Sequence, residues 1–410
     1  MASRYRSARR LSRRPPRRPL IFHTRLPRGR PVGPSAVSNA RTLPFARAPR
    51  LTLKVGSALL VEKSGEVRRA WLETLVADIA AAHAGGQQVI LVSSGAIALG
   101  SRRLKLAKGG RASLEDAQAA AATGQIILAG LWAELLGKHG IVAAQMLVTL
   151  GDFEDRRRFL NASATLSRLL SLGVVPILNE NDSVATEEIR FGDNDRLAAR
   201  AAQAARADAL VLLSDIDGLY TANPAEDPAA ELIPTVSDIS AVAHMASRAS
   251  SSGMGSGGMV AKVEAARIAH AAGIPVAIVA GAPAHPLKQF IETGHGTIFE
   301  APDPMTSRKA WLAGRMQVEG RLTLDAGAVR ALKGGKSLLA AGVIGIEGQF
   351  RRGDAVDVLD EAGKLLARGL VGYDAADARA IAGKSREALR EILGYAPRSA
   401  MIHRDQMVML

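Results

Sequence analysis

Two lysines stand where they could do chemistry. Lys54 lies at the end of an apolar run, in Lys54-Val55-Gly56-Ser57, and Lys262 lies on a helical pattern just beyond the glycine-rich stretch Gly253 to Met259. Between them come Ser93-Ser94-Gly95-Ala96, Asn179-Glu180-Asn181-Asp182, Gly192-Asp193-Asn194-Asp195 and Ser214-Asp215-Ile216-Asp217-Gly218. Taken one at a time these are ordinary: glycines make turns, and Asn and Asp make Asx-turns and N-caps. Their convergence is informative. Glycines and helix N-termini suit anions, lysines supply fixed positive charge, and carboxylates can hold a divalent metal. That set matches phosphoryl transfer, in which catalysis is positioning plus charge stabilisation.

Competing motifs fail on context. Gly253, Gly255 and Gly258 satisfy GxGxxG, but no strand pattern precedes them and no acidic residue follows about 20 positions on, as the dinucleotide fingerprint requires. The GxxxxGK[ST] pattern is absent. His403-Arg404-Asp405 spells the protein-kinase triplet too close to the end of the sequence for its metal-binding partners to follow. The absence of cysteine excludes thiolate sites, the scatter of the eight histidines weighs against a histidine-built metal site, and no protein metal ligands are assigned.

The elements that must position these residues are legible as alternation. Apolar runs at Leu51–Val55, Gln88–Val92, Val142–Leu147, Val174–Leu178, Ala209–Leu213 and Pro275–Val279 predict strands. Trp71–His83, Leu114–His139, Arg156–Leu172 and Val260–Ala272 predict helices. Alternation of this kind means an α/β fold, a mostly parallel sheet sandwiched by helices, with ligands collecting beyond the carboxyl ends of the strands. The apolar stretch Ala117 to Trp132 is broken by Gln118, Thr123 and Gln125 and reads as too short to span a bilayer. After about Gly314 short strands and frequent glycines predict a small β-rich domain with helices at Asp374–Ala382 and Ser385–Leu393. The expected units are a basic extension over 1–49, a catalytic domain over 50–312 and the β-rich domain over 316–405.

The net charge of +14 would read as a nucleic-acid signal were it spread over the chain. The first fifty residues hold 14 arginines, no lysine and no acid, so the remainder is close to neutral and the C-terminal domain carries only +3. The Arg- and Pro-rich extension reads as disordered. Three readings of it stand side by side: a targeting peptide, a nucleic-acid-binding arm, or the product of a start codon set too far upstream. No apolar segment of the secretory kind follows it, and the expected location is cytoplasmic.

In order along residues 51–408, Lys54-Val55-Gly56-Ser57, Ser93-Ser94-Gly95-Ala96-Ile97-Ala98, Asn179-Glu180-Asn181-Asp182, Gly192-Asp193-Asn194-Asp195, Leu213-Ser214-Asp215-Ile216-Asp217-Gly218-Leu219-Tyr220 and Gly257-Gly258-Met259-Val260-Ala261-Lys262 resemble the glutamate 5-kinases of the amino-acid kinase family. The C-terminal segment resembles a PUA module. The resemblance implies the amino-acid kinase fold and ATP- and Mg2+-dependent phosphorylation of the L-glutamate side-chain carboxylate, the first step of proline biosynthesis. It also implies proline as feedback inhibitor and a homo-oligomer. By motif position it implies Ser94, Asp182 and Asn194 as glutamate contacts. Lys54, Ser214, Asp215, Ser256, Gly257, Gly258, Met259 and Lys262 become the ATP site, with Lys54, Lys262 and Asp195 the catalytic group. Ala261 departs from the threonine common there. Kinases of the same family acting on acetylglutamate or aspartate, and an RNA-binding protein using the PUA-like domain, are the alternatives. The low charge of that domain weighs against RNA.

Overall fold

The computed structural model describes residues 40–62, 66–184, 193–248, 256–302, 318–398 and 400–410. Six near-continuous apolar runs become parallel strands; five are buried on both faces and so need no polar alternation, and the third in sequence is a half-exposed edge strand. These are β1 (Arg50–Val55), β2 (Gln88–Ser93), β3 (Ala143–Val148), β4 (Val175–Glu180), β5 (Ala209–Ser214) and β7 (Val276–Ala280). With β6 (Thr235–Val236) and β8 (Thr297–Phe299) they form an eight-stranded sheet in the order β3-β4-β2-β1-β5-β7-β8-β6. Only the β7–β8 pairing is antiparallel. Two apolar cores cover the faces. One holds Trp71, Leu72, Leu75 and Trp132, the other Leu166, Leu197, Ala201 and Ala265.

The helix Leu114–Gly137 corrects one expectation. It runs 24 residues and is long and apolar enough, by length and composition, to cross a membrane. Its packing gives it another role: Leu128, Trp132, Leu135 and Leu136 are buried in the core. Ser113 caps it by accepting from the Asp116 amide at 3.1 Å. Gly124 meets Gly100 of the helix Ala96–Leu104 so closely that a Cβ on either would lie 1.8 Å from a backbone oxygen of the other helix. Two backbones in contact thereby fix the helix that begins at the Ser94-Gly95 turn.

Within the extension expected over 1–49, the residues from Ala40 onward are ordered. Residues 1–39 lie outside the described residues. Ala40–Thr42 and Leu43–Ala46 form two short helical turns. Phe45 is fully buried, edge-on to Phe290 at 5.3 Å, and Gln87 donates to the carbonyls of Phe45 and Ala48. Arginine-rich composition concealed one aromatic anchor.

A second sheet in the order β10-β9-β11-β12-β13 carries the C-terminal region. It is built from β9 (Val318–Leu324), β10 (Val343–Gly348), β11 (Ala355–Asp360), β12 (Leu365–Leu370) and β13 (Met407–Met409). The helices Ala375–Ile381 and Arg386–Leu393 stand where the pattern placed them. The boundary expected between 312 and 316 lies outside the described residues. This domain rests on the helix Arg156–Ser171 through an apolar contact of Leu160 with Ala355 and Leu370, and through Arg156–Asp354 at 3.1 Å.

Candidate active site

Four adjacent parallel strands, β4-β2-β1-β5, bring their carboxyl ends to one edge, and the candidate residues collect there. Lys54 sits one residue from the end of β1, paired in register with Val92 and Leu212, so its ammonium is flanked by apolar strands. Asp195, in the first turn of the helix Asp193–Ala205, is wholly buried between the two lysines. Its Oδ1 lies 2.6 Å from Lys54 Nζ and its Oδ2 3.0 Å from Lys262 Nζ. Lys262 comes from the helix Ser256–Ala271 and also reaches the Gly258 carbonyl at 3.4 Å.

One carboxylate thus holds two buried ammoniums, leaving one net positive charge. Burial alone would push the Asp195 carboxyl up, but Lys54 and Lys262 outweigh it and hold it below the ordinary carboxylate range. Burial lowers the Lys54 pKa, with Asp195 opposing and Lys262 adding to the shift. Space beside both ammoniums is kept by glycine. A Cβ at Gly56 would come 3.7 Å from Lys54 Nζ, and one at Gly258 would come 3.9 Å from Lys262 Nζ.

Beside this charged group lies an amide network. Asn194 Nδ2 donates to Ser94 Oγ at 2.8 Å and to Asn179 Oδ1 at 3.0 Å, and Asn179 Nδ2 donates to Gln125 Oε1 at 2.7 Å. Asn194 Oδ1 is buried and has no hydrogen-bond partner. An orphaned acceptor of this kind suits an incoming N–H donor. Gln125 was legible only as a polar break in an apolar stretch. In the fold it anchors Asn179, and a glutamine facing inward on a core helix was the signal.

The other expected residues are placed as follows. Ser214, at the end of β5, donates to Asp215 Oδ1 at 3.0 Å, and the charge of Asp215 reaches Lys54. Asp182 is half-buried in the turn just after β4, at the same edge. Ser256 and Gly257 open the helix Ser256–Ala271, with Gly258 and Met259 next and Met259 buried. Gly192, Gly253 and Gly255 lie outside the described residues. The structure therefore brings Lys54, Lys262, Asp195, Ser94 and Asn194 to one edge, with Ser214 and Asp215 beside them.

A parallel sheet with this strand-edge group of lysines defines a class of phosphate-handling α/β domain, and comparison with known proteins names it. Residues 49–280 match the Amino acid kinase family, to which the chain belongs, and residues 320–393 match the PUA domain. Within that family the chain is similar to glutamate 5-kinases. It is 63% identical over 368 residues to the one from Sphingopyxis alaskensis, covering 90% of this chain and 99% of the relative. It is 57% identical to that of Zymomonas mobilis, covering 92% of this chain and 95% of the relative. The figure for Novosphingobium aromaticivorans is 59%, covering 88% and 96%.

Proposed function

We propose that this chain transfers the γ-phosphoryl group of ATP to the side-chain carboxylate of L-glutamate, giving L-glutamyl 5-phosphate, the opening step of proline biosynthesis. The observation that carries the reading is the Lys54–Asp195–Lys262 bridge beside the orphaned Asn194 Oδ1. The acceptor carboxylate is already ionised at neutral pH, so no general base is needed. What the reaction needs is relief of repulsion between two anions. A fixed ammonium about 4 Å from the developing charge is worth on the order of 4 kcal/mol at an effective dielectric near 20. Asp195 keeps both ammoniums aimed. Ser94, Asn194 and Asp182 bind glutamate, with Asn194 Oδ1 accepting from its α-ammonium. Ser214, Asp215 and the turn Ser256 to Lys262 hold the nucleotide.

Among the described residues no three His, Asp or Glu side chains cluster as a metal cage. Asp215 is the carboxylate that would hold a magnesium ion at the nucleotide site, where the ion would supply charge neutralisation. Proline as feedback inhibitor, a cytoplasmic location and a homo-oligomer accompany this reading. Ile126, Val142 and Leu147 leave apolar surface along the helix Leu114–Gly137 and the edge strand β3, which favours self-association. RNA binding by the PUA domain is not required by it.

The test is trapping of the acyl phosphate as its hydroxamate, with ATP, magnesium and glutamate, aspartate or acetylglutamate in parallel. Glutamate-dependent hydroxamate, suppressed by proline, is the expected result. Product with another acceptor alone would overturn the substrate assignment.

A further inference from the structure

Just past Asp215 the strand edge carries a cluster to which the transfer gives no role. Asp217, Tyr220 and His295 meet on one carboxylate. His295 Nε2 lies 2.7 Å from Asp217 Oδ2, and the Tyr220 hydroxyl donates to the same carboxylate, 3.1 Å from Oδ1 and 3.2 Å from Oδ2. A carboxylate only accepts, so the proton of the first contact belongs to the imidazole. Asp217 and Tyr220 lie on the segment that leaves β5 after Ser214, whereas His295 comes 78 residues after Asp217, just before β8.

The two segments are built to touch. A Cβ at Gly218 would lie 2.5 Å from Leu232 Cδ1 and 2.7 Å from Thr297 Oγ1. Gly296 has a φ of +140°, and a Cβ there would lie 2.6 Å from the Ile278 carbonyl oxygen. The Leu219 amide donates to Thr297 Oγ1 at 2.7 Å, and that buried hydroxyl donates to the Ile233 carbonyl at 2.7 Å. These contacts fix the segment at Leu219. Its start is fixed by the Gly281 amide, which donates to the Ser214 carbonyl at 2.7 Å. Between those two points Asp215 is exposed, and Ile216 and Asp217 are half-buried. The side-chain tie to His295 is what holds that middle stretch against β8.

The place of the cluster along the edge gives its role. The acceptor residues Ser94, Asn179 and Asn194 lie on the β2–β4 side of Lys54. A nucleotide whose terminal phosphate meets both lysines therefore extends the other way, over β5 toward β7 and β8. β8 runs antiparallel to β7, with Thr297 opposite Ile278, so His295 stands just outside the carboxyl edge of the sheet. Three strand spacings of about 4.8 Å put it about 14 Å along that edge from β1.

We infer that His295 is a positioning residue for the nucleotide, acting through Asp217 to hold the segment 214–220 against β8. Ser214 and Asp215 are then aimed at the phosphates before ATP arrives, so less ordering is left to be done on binding. The inference rests on the proposed nucleotide site at Ser214 and Asp215. A merely structural tie is already supplied in the buried layer by Thr297 and the two glycines. The His295 side chain is 56% exposed, so its removal gives up little buried surface.

The test is calorimetric titration of the full chain with adenylyl imidodiphosphate, paired with steady-state kinetics in which ATP and glutamate are varied separately. His295→Ala should weaken the analogue and raise the KM for ATP by about fivefold to tenfold. Its kcat and its KM for glutamate should stay within about twofold of wild type, with the thermal midpoint unchanged. His295→Gln, whose Nε2 can still donate to Asp217, should recover most of the loss. Adding His295→Ala to Asp217→Ala should cost nothing further, because the imidazole acts through that carboxylate. A folded His295→Ala variant with wild-type affinity for the analogue overturns the inference, and so does a loss that falls on kcat or on the KM for glutamate. Wild-type protein that binds no analogue overturns the proposed nucleotide site itself, and the inference with it.

Discussion

Two groups of cations are built on this chain, and they are built oppositely. At the strand edge, Lys54 and Lys262 are buried and tied to one carboxylate by contacts of 2.6 and 3.0 Å. In the interdomain cleft, Arg168, Arg206, Arg352 and Arg398 line one cavity, and Arg352 is tied to Asn161 by its side chain and to Asp374 by its backbone amide. The first arrangement carries its own counter-charge, so its geometry is set before any substrate arrives, as preorganised electrostatic catalysis requires. The second is held through a neutral amide and the backbone, with Arg352 Nη2 donating to Asn161 Oδ1 at 2.6 Å and the Tyr373 hydroxyl bonded to the Arg398 backbone. A buried ammonium that must be aimed needs an internal anchor.

The largest effect that should distinguish them comes from removing the anchor. Asp195→Ala strands two ammoniums in an apolar surround, and breaking a buried pair of this kind costs about 3–5 kcal/mol. Denaturant unfolding should show that loss and activity should vanish. Wild-type stability in the variant would mean that the lysines were never held by Asp195. Next come Lys54→Ala and Lys262→Ala, each expected to lower turnover by roughly two to three decades while circular dichroism stays native. Near-normal turnover in either folded variant removes that lysine from the transfer.

The helix contact beneath the amide network is the third test. Gly124→Ala would place a Cβ 1.8 Å from the Ala96 carbonyl oxygen. It should cost on the order of 1–3 kcal/mol by thermal unfolding and raise the KM for glutamate through the displaced Ser94 turn. A fully stable variant would show that the two helices can part freely.

Titration sharpens the comparison from another side. Asp195 is held below its ordinary pKa, so its stabilising contribution is complete above the unfolded value of about 3.9 and is lost as pH falls through the depressed folded value. Lys54 is lowered by burial, so the unfolded chain binds the extra proton and this group's term favours folding more as pH rises from its folded pKa toward about 10.4. Over that interval the ammonium needed for transfer is being lost. Turnover should therefore fall on the alkaline side before an ordinary lysine would titrate, which a pH–rate profile reads. The smallest effect belongs to the solvated domain contact: Arg156→Ala, opposite Asp354, should cost no more than about 1 kcal/mol and leave turnover unchanged.

What could be read from the residues follows from how local each signal is. β1, β2, β4 and β5 were visible because strands buried on both faces are continuous apolar runs, and Lys54, Ser94, Asn179 and Ser214 were visible as what ends those runs or follows them. The bridge between Lys54 and Lys262 is not local. It joins positions more than two hundred residues apart, and only the resemblance pointed to Asp195 as its centre. Gly100 and Gly124 look like poor helix residues until the opposing backbone is present. β6 and β8, of two and three residues, are too short to show a period. Arg168, Arg206, Arg352 and Arg398 come from a helix, two turns and a loop, so no run of charge announces the cavity they line. Phe45 was lost among arginines for the same reason in reverse.

The proposed function divides the strand edge into a transfer half at Lys54, Asp195 and Lys262 and an acceptor half at Ser94 and Asn194. Steady-state kinetics of folded Lys262→Ala and Asn194→Ala, measured side by side with glutamate varied, test it most directly. The lysine variant should lose kcat by two to three decades with the KM for glutamate nearly unchanged. The asparagine variant should raise that KM by about tenfold or more with a much smaller loss of kcat. The same parameter moving in both variants would contradict the division.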